Sequence, residues 1–413
     1  MHLLFLTSQM PYPPHAGGAL RAYGLISGLR AAGYTIDLIT FVAAGGGESD
    51  PTPLSDLCEK IVTVPLPPRS GRDRLRDALF TNHADMVQRF ASPEFARALT
   101  ALVTARAYDL AMIEGLEMSP YLPILKQHVK KVVYDALNAE YDLQRLIYQV
   151  DRRNLTRLHA ALYSLIQWRR LERVERSVCQ MADAVVAVSD LDASLLQKLA
   201  PTTRLAVVPN GIYTAEYLPA PTKQLALGNA PLLFTGTMDY RPNVDAMVWF
   251  AESVLSEIRS AVPDARLFIV GNRPHPRLAG IRGRGDVEIT GFVQDVAPFL
   301  HSAAVYVAPL RMGSGTRLKL LQAMAAGCAI VSTRIGAMGL DVTSGREMIL
   351  ADDAGGFASA VTMLLRDPER RRAMGVAAQK LVCERYDWSA LVPQMVAFYQ
   401  QMGVAATGGE SSP

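Results

Sequence analysis

Cysteine is scarce in this sequence, and the four present, Cys58, Cys179, Cys328 and Cys383, are scattered without a Cys-x-x-Cys pair. That excludes a zinc knuckle and a disulfide framework and suits a reducing compartment. An excess of charge of one sign is missing too. The 42 Lys and Arg against 39 Asp and Glu leave +3, which gives no footing for a dedicated nucleic-acid binder. No apolar run approaches the roughly 18 to 20 residues that span a bilayer, because the longest candidates are cut by charges such as Arg106 and Asp109. The opening Met1-His2-Leu3-Leu4-Phe5-Leu6-Thr7 lacks the basic start and the roughly 7 to 15 apolar residues of a secretory signal, and reads as a first buried strand. The expectation is a cytoplasmic protein, with contact to the inner face of the membrane left open. Absent as well is a Gly-x-Gly-x-x-Gly after that strand with an acid about 20 residues beyond, which disfavours a dinucleotide oxidoreductase.

What is present is ample apolar material. Half of the 413 residues are hydrophobic and a fifth are charged, so the chain can bury two cores of about 150 to 200 residues each. Short apolar runs alternate with stretches of helical period, the pattern of parallel sheets covered by helices. In the first half, 3–6, 35–42, 60–64, 110–113, 131–134 and 184–188 read as strands, and Leu20, Tyr23, Leu25, Ile26 and Leu29 mark a helix. In the second half the strands are 231–235, 266–270, 287–290, 305–308 and 329–332. Val244, Met247, Phe250, Val254, Leu255 and Ile258 give one apolar helix face between the first two. The boundary is expected between Ala200 and Gly228.

The segment from Val305 to Thr333 carries the most chemistry. A strand feeds Pro309-Leu310-Arg311-Met312-Gly313-Ser314-Gly315-Thr316-Arg317-Leu318-Lys319, a glycine loop opening a helix. Gly313 and Gly315 allow close backbone approach, Ser314 is able to cap, and the free N–H groups of a first helical turn attract an anion. Arg317 and Lys319 add fixed positive charge. A capped helix with solvated basic residues explains the same segment taken alone. Three more glycine turns follow strands of this half, at Gly236-Thr237, Gly271 and Gly291-Phe292-Val293. Ligands of open α/β sheets bind at the carboxyl ends of the strands, so together these loops point to one nucleotide site. The first half offers a loop from Pro11 to Gly18 with His15, Gly17 and Gly18, followed by a helix carrying Arg21.

The order Pro13-Pro14-x-x-Gly17-Gly18-x-x-Arg21, Ala187-Val188-Ser189, Val208-Pro209-Asn210-Gly211, Phe234-Thr235-Gly236, Ile269-Val270-Gly271, Thr290-Gly291-Phe292-Val293 and Leu320-Leu321-Gln322-Ala323-Met324-Ala325-x-Gly327 resembles the family 4 glycosyltransferases over nearly the whole chain. The resemblance implies an α/β protein of the GT-B fold, two Rossmann-like parallel-sheet domains facing each other across a cleft. Residues 1–203 would form the acceptor domain, with a helix at 389–402 crossing back to it; 204–388 would form the nucleotide-sugar domain, and 403–413 a disordered tail. The activity implied is transfer of a sugar from a nucleotide-sugar donor to a glycan or lipid-linked acceptor, with retention of configuration and with neither metal nor cofactor. Carried over by position, Gly17 and Gly18 would approach the diphosphate or the transferred sugar, Gly236 and Thr237 would line the phosphate end, and Val293 would meet the base through its backbone. Arg317 and Lys319 would neutralise the leaving diphosphate. Arg21, Asn210, Gly271, Phe292, Gly313, Ser314, Gly315 and Thr316 complete the expected lining.

Three departures set the sequence apart from that family's pattern. Ser314 and Gln322 stand where members often carry two glutamates; Gln322 is still able to hydrogen-bond ribose hydroxyls. Leu137 stands where many have a histidine, and Arg241 is slightly displaced from the usual basic residue after Gly236. These keep open a nucleotide-sugar binding protein without turnover, beside a related GT-B epimerase or phosphorylase. Glu114 and Asn138 are candidates to orient the acceptor hydroxyl, with Glu117, Asp135 and Glu140 near them in sequence; solvated loop acids are the competing reading. Asp190 and Asp192, spaced like a metal-binding pair, read instead as helix-start acids. From Arg145 to Arg176, eight arginines interleave with apolar residues against three acids. That stretch fits a helix lying on anionic lipid and fits equally a packed helix with a solvated basic face.

Overall fold

The structure, a computed structural model, describes residues 1–14, 17–43, 53–152, 158–218, 225–313 and 317–405. They fall into two compact units, the first made of the chain up to Asn210 together with the segment from Leu391 onward, the second running from Gly211 to Ala390.

The first unit is built on a seven-stranded sheet of β1 (His2–Thr7), β2 (Thr35–Val42), β3 (Lys60–Pro65), β4 (Leu110–Glu114), β5 (Val132–Ala136), β6 (Ala184–Ala187) and β7 (Leu205–Val207), ordered β3-β2-β1-β4-β5-β6-β7. Every pairing is parallel, with Phe5 of β1 opposite Leu38 on one side and Met112 on the other. Strands buried on both faces need continuous apolar runs, and β1 supplies Leu3, Leu4, Phe5 and Leu6, all buried. One face packs on an aromatic stack in which Phe95 lies 4.5 Å from Phe41 and 4.3 Å from Tyr121, ring centre to ring centre.

The helix Gly17–Ala31 buries Leu25, Ile26 and Leu29. At Gly28 it leaves no room for a Cβ, because the side chain of Val392, from the helix Trp388–Gln401, fills that place. Beyond that helix the expected disordered tail is corrected at its start. Val404 is buried, its N–H bonds to the Tyr399 carbonyl at 2.9 Å, and its carbonyl accepts from Tyr34 Oη at 3.2 Å. A single valine meeting a tyrosine hundreds of residues earlier leaves no local signature; 406–413 lie outside the described residues. The basic stretch resolves into two helices, Glu140–Asp151 and Leu158–Met181.

The second unit holds β8 (Ala230–Thr235), β9 (Ala265–Val270), β10 (Val287–Gly291), β11 (Val305–Ala308), β12 (Ile330–Ser332) and β13 (Ile349–Leu350), all parallel in the order β10-β9-β8-β11-β12-β13. The single helix expected after β8 is two, Arg241–Ser253 and Leu255–Ala261, interrupted at Val254. Val244, Met247, Phe250, Val254, Leu255 and Ile258 are all buried, so the periodicity survives the break. In both sheets the strand order reverses beside the first strand, between β1 and β4 and between β8 and β11. Carboxyl ends at such a reversal leave a crevice for a ligand. Among the described residues no helix is long and apolar enough to cross a membrane.

Candidate functional site

In the second unit, three glycine turns fuse into one hydrogen-bonded ledge at the carboxyl ends of β8, β9 and β10. Gly236 N–H donates to the Val270 carbonyl at 2.9 Å, Gly271 N–H to the Gly291 carbonyl at 3.1 Å, and Met238 N–H to the Asn272 carbonyl at 2.8 Å. A Cβ on Gly271 would run into the Gly236 carbonyl oxygen, so only glycine lets the two turns touch. The end of β8 is pinned by Tyr306, whose phenol oxygen lies 2.8 Å from Thr235 Oγ1 and accepts from the Thr235 N–H at 3.3 Å.

Lys319 rises to this ledge from the first turn of the helix Leu318–Ala325. Its Nζ donates to Asn243 Oδ1 at 2.7 Å and stands 4.3 Å from the centre of the Phe234 ring. Asn243 Nδ2 in turn donates to the Thr237 carbonyl at 2.8 Å. A Cβ on Gly236 would lie 2.6 Å from Lys319 Nζ and 2.8 Å from Asn243 Nδ2, so glycine, amide and ammonium surround one spot. Burial, and then the Arg317 guanidinium, push the Lys319 pKa down to about 7. Arg317 precedes the same helix, and its guanidinium packs over Gly313, where φ is +114° and a Cβ would lie 2.6 Å from one of its nitrogens. The arrangement brings the lysine and arginine side chains together at the start of one helix, beside the carboxyl end of β8.

The other expected residues of this unit sit as follows. Arg241 opens the helix Arg241–Ser253 and is half-buried. Phe292 is 70% exposed, while Val293 packs against the apolar cluster around Leu321 and Tyr306. Gln322 donates through Nε2 to Tyr217 Oη at 2.9 Å, which uses one of the two N–H donors of that amide within the protein. Ser314, Gly315 and Thr316 lie outside the described residues, as does His15.

In the first unit Arg21 requires correction. It is fully buried, with Nε and Nη2 in a bidentate pair to Asp135 at 2.7 and 2.6 Å. Its Nη1 donates to the Val208 and Pro209 carbonyls at 3.0 and 3.1 Å and to Asn210 Oδ1 at 3.2 Å. These contacts make it an internal clamp on the turn after β7, not a substrate contact, and the side-chain oxygen of Asn210 serves that clamp. Gly17 and Gly18 open the helix Gly17–Ala31. Glu114 ends β4, opposite Asp135 of β5, and is buried. Desolvation, then the nearby Asp135, raise its pKa well above the carboxylate range, with Arg21 pulling the other way. Asn138 Nδ2 donates to Glu140 Oε1 at 2.9 Å. Burial, then Glu117, hold Glu140 up at about 8. Asp192 accepts from Ser189 Oγ and from the Ala139 N–H at 2.9 Å, the helix-start role expected of it.

Asn243 was missed by sequence reasoning. An asparagine three residues into a helix reads as a first-turn polar residue, and its partner Lys319 comes 76 positions later.

Two all-parallel sheets of matching strand order, each with glycine turns at its carboxyl ends, define a protein of the GT-B class. A family model described as glycosyl transferase 4-like domain matches residues 16–211, and one described as glycosyl transferases group 1 matches 230–367. The chain belongs to the family 4 glycosyltransferases. It is 28% identical over 261 residues to a phosphatidyl-myo-inositol mannosyltransferase of Propionibacterium freudenreichii, covering 62% of this chain and 66% of that protein. It is 32% identical over 228 residues to the protein of the same name from Mycolicibacterium smegmatis, covering 53% of this chain and 58% of that one. The match thus spans less than two thirds of either relative. The fold is shared with a sucrose-phosphate synthase from Thermosynechococcus elongatus, with a TM-score of 0.73, 19% identity and coverage of 98% and 99% of the two chains. It is shared also with Anabaena HepE, crystallised with UDP, with a TM-score of 0.64, 14% identity and coverage of 97% and 100%.

Proposed function

We propose that this protein transfers a glycosyl group from a nucleoside diphosphate sugar to a hydroxyl of a glycan or lipid-linked acceptor, with retention of configuration. The observation that carries the reading is the Lys319–Asn243–Gly236 constellation, with Arg317 at the same helix start. Breaking a sugar–phosphate bond develops negative charge on the leaving oxygen, and preoriented cations and amides stabilise that charge more than they stabilise the intact donor. The UDP held by HepE supports a nucleotide-linked donor, and the names of the two mannosyltransferases support transfer of a glycosyl group. Gly17 and Gly18 are read as the first unit's approach to the diphosphate or transferred sugar, Glu114 and Asn138 as groups that orient the acceptor hydroxyl. The acceptor side extends to an anionic membrane surface, for which the support is the basic stretch Arg145 to Arg176. Flotation with anionic vesicles tests that extension, and protein left wholly in solution counts against it.

Thermal-shift titration with UDP, GDP, ADP and their sugars tests the core of the reading. One nucleoside diphosphate is expected to raise the unfolding temperature in proportion to occupancy, and Lys319→Ala with Arg317→Ala is expected to abolish most of that rise. Retained affinity in the double variant refutes it. A second reading, binding without turnover, is favoured by the uncharged Ser314 and by Gln322, whose amide is engaged by Tyr217. Slow release of nucleoside diphosphate from a bound donor supports the enzyme; binding with no release under any acceptor supports the second reading.

A further inference from the structure

The turn between β5 and the helix Glu140–Asp151 is held by carboxylates that come from neither element. Three consecutive backbone N–H groups, of Ala139, Glu140 and Tyr141, donate to Asp192 Oδ1 at 2.9 Å, to Glu175 Oε1 at 3.1 Å and to Glu175 Oε2 at 2.9 Å. Glu175 sits in the helix Leu158–Met181 and Asp192 in the first turn of the helix Asp190–Leu199, 34 to 53 positions further along the chain. Glu175 Oε1 also accepts from Tyr134 Oη of β5 at 3.3 Å, and Asp192 accepts from Ser189 Oγ. On the other side of the turn, Ala136 ends β5 and is paired with Ala187 of β6. Between the two fixed stretches lie Leu137 and Asn138.

Capping alone does not call for this arrangement. One Ser, Thr, Asp or Asn next to a helix start in sequence satisfies its free N–H groups without burial of charge. Here Glu175 is fully buried and Asp192 is 2% exposed. Burying a carboxylate costs free energy that its hydrogen bonds offset only in part. Burial pushes the Glu175 pKa up to about 7, against the pull of the Tyr141 and Glu140 N–H groups. What two distant carboxylates add over a local cap is a fixed place for the backbone of 139–141 relative to the sheet. The residue that precedes this backbone is Asn138, whose Nδ2 donates at 2.9 Å to Oε1 of Glu140, one of the three held residues.

We infer that Glu175 and Asp192 are positioning residues for glycosyl transfer, holding the backbone of 139–141 so that Asn138 meets the attacking hydroxyl. This role rests on the reading of Asn138 as the group that orients that hydroxyl. Neither carboxylate touches substrate; both act through the asparagine.

Steady-state kinetics on the full chain tests it, with UDP-glucose, GDP-mannose and ADP-glucose as donors, water as the attacking hydroxyl and release of nucleoside diphosphate as the signal. Glu175→Gln and Asp192→Asn keep the size of the side chain and exchange one acceptor oxygen for a donor. Each is expected to lower kcat about tenfold, while the KM of the donor, nucleoside diphosphate affinity and the unfolding temperature stay near those of the unaltered protein. In an Asn138→Ala background, itself slowed about tenfold or more, neither substitution is expected to slow release further, because the residue through which they act is gone. A merely structural cap gives the opposite pattern, a lower unfolding temperature and losses that multiply with Asn138→Ala. Hydrogen exchange of a peptide spanning 137–143, read by mass spectrometry, is expected to quicken in both variants while that of β5 stays slow. If Glu175→Gln fails to fold, Asp192→Asn, which leaves Glu175 in place, decides by the same measurements. An unchanged kcat, multiplying losses in the double variants, or nucleotide affinity that falls as far as the rate overturns the inference. No release from the unaltered protein overturns turnover, the parent reading; release that Glu175→Gln and Asp192→Asn leave untouched overturns this inference alone.

Discussion

Lys319 Nζ and Asn243 Oδ1 stand 2.7 Å apart, joining the first turns of two helices in the second unit. The amide does not neutralise the lysine; it orients it. With no ion-pair partner among the described residues and packed beside Arg317, the ammonium has its pKa pushed down to about 7 by burial and by that neighbour.

That value predicts proton uptake on binding. A pKa pushed down to about 7 leaves part of the Lys319 population uncharged near neutral pH, and a bound diphosphate favours the charged form. Nucleoside diphosphate affinity is expected to fall as pH rises above about 7, and calorimetry in buffers of different ionisation enthalpy is expected to show protons taken up. Lys319→Met is expected to remove the uptake and to weaken binding by about tenfold or more, the worth of a charge-assisted contact of roughly 1.5 to 3 kcal/mol.

The same residue predicts an opposite effect on stability. Its folded-state pKa lies below the unfolded value of 10.5, so between the two the unfolded chain binds more protons. Stability from this group is expected to rise with pH across that interval, its cost being complete below about 7 and gone above 10.5. Lys319→Met is therefore expected to raise the unfolding temperature at pH 6 and to leave it nearly unchanged at pH 10.5. A lower temperature at pH 6 contradicts the assignment of a buried, unneutralised ammonium.

Gly236→Ala is expected to be disruptive. It brings a Cβ within 2.6 Å of Lys319 Nζ at a φ of +147°, a conformation that alanine avoids. Loss of roughly 1 to 3 kcal/mol in chemical denaturation is expected, with nucleotide affinity falling alongside. Gly280, where a Cβ meets nothing within 4 Å, serves as the control, and Gly280→Ala is expected to leave both within error.

Arg21→Met is expected to destabilise by about 3 to 5 kcal/mol, since it leaves Asp135 buried without its partner. Denaturant unfolding monitored in the first unit checks this. A variant that unfolds like the unaltered protein but binds donor poorly would restore a substrate role to Arg21.

How far the sequence speaks depends on the distance over which a residue finds its partner. The apolar runs of β1 and β11 and the glycine turns after β8, β9 and β10 were legible because strand burial and positive φ are written in neighbouring residues. β7 and β13, of three and two residues, are too short to display a period. The role of Arg21 was illegible because its partners Asp135 and Asn210 stand 114 and 189 positions away. The Lys319 site was half legible. Basic residues at a helix start announce themselves, while the asparagine that aims one of them does not. Glu114 was visible as an acid at a strand end, but its burial opposite Asp135 belongs to packing alone.

The Gly28 gap filled by Val392 has a bearing on biosynthesis. The first unit is discontinuous, so a nascent chain has made every strand of its sheet long before the segment that seats against Gly28 leaves the ribosome. Until then the helix Gly17–Ala31 presents an empty socket, and final assembly of the first unit waits on translation of the helix that carries Val392.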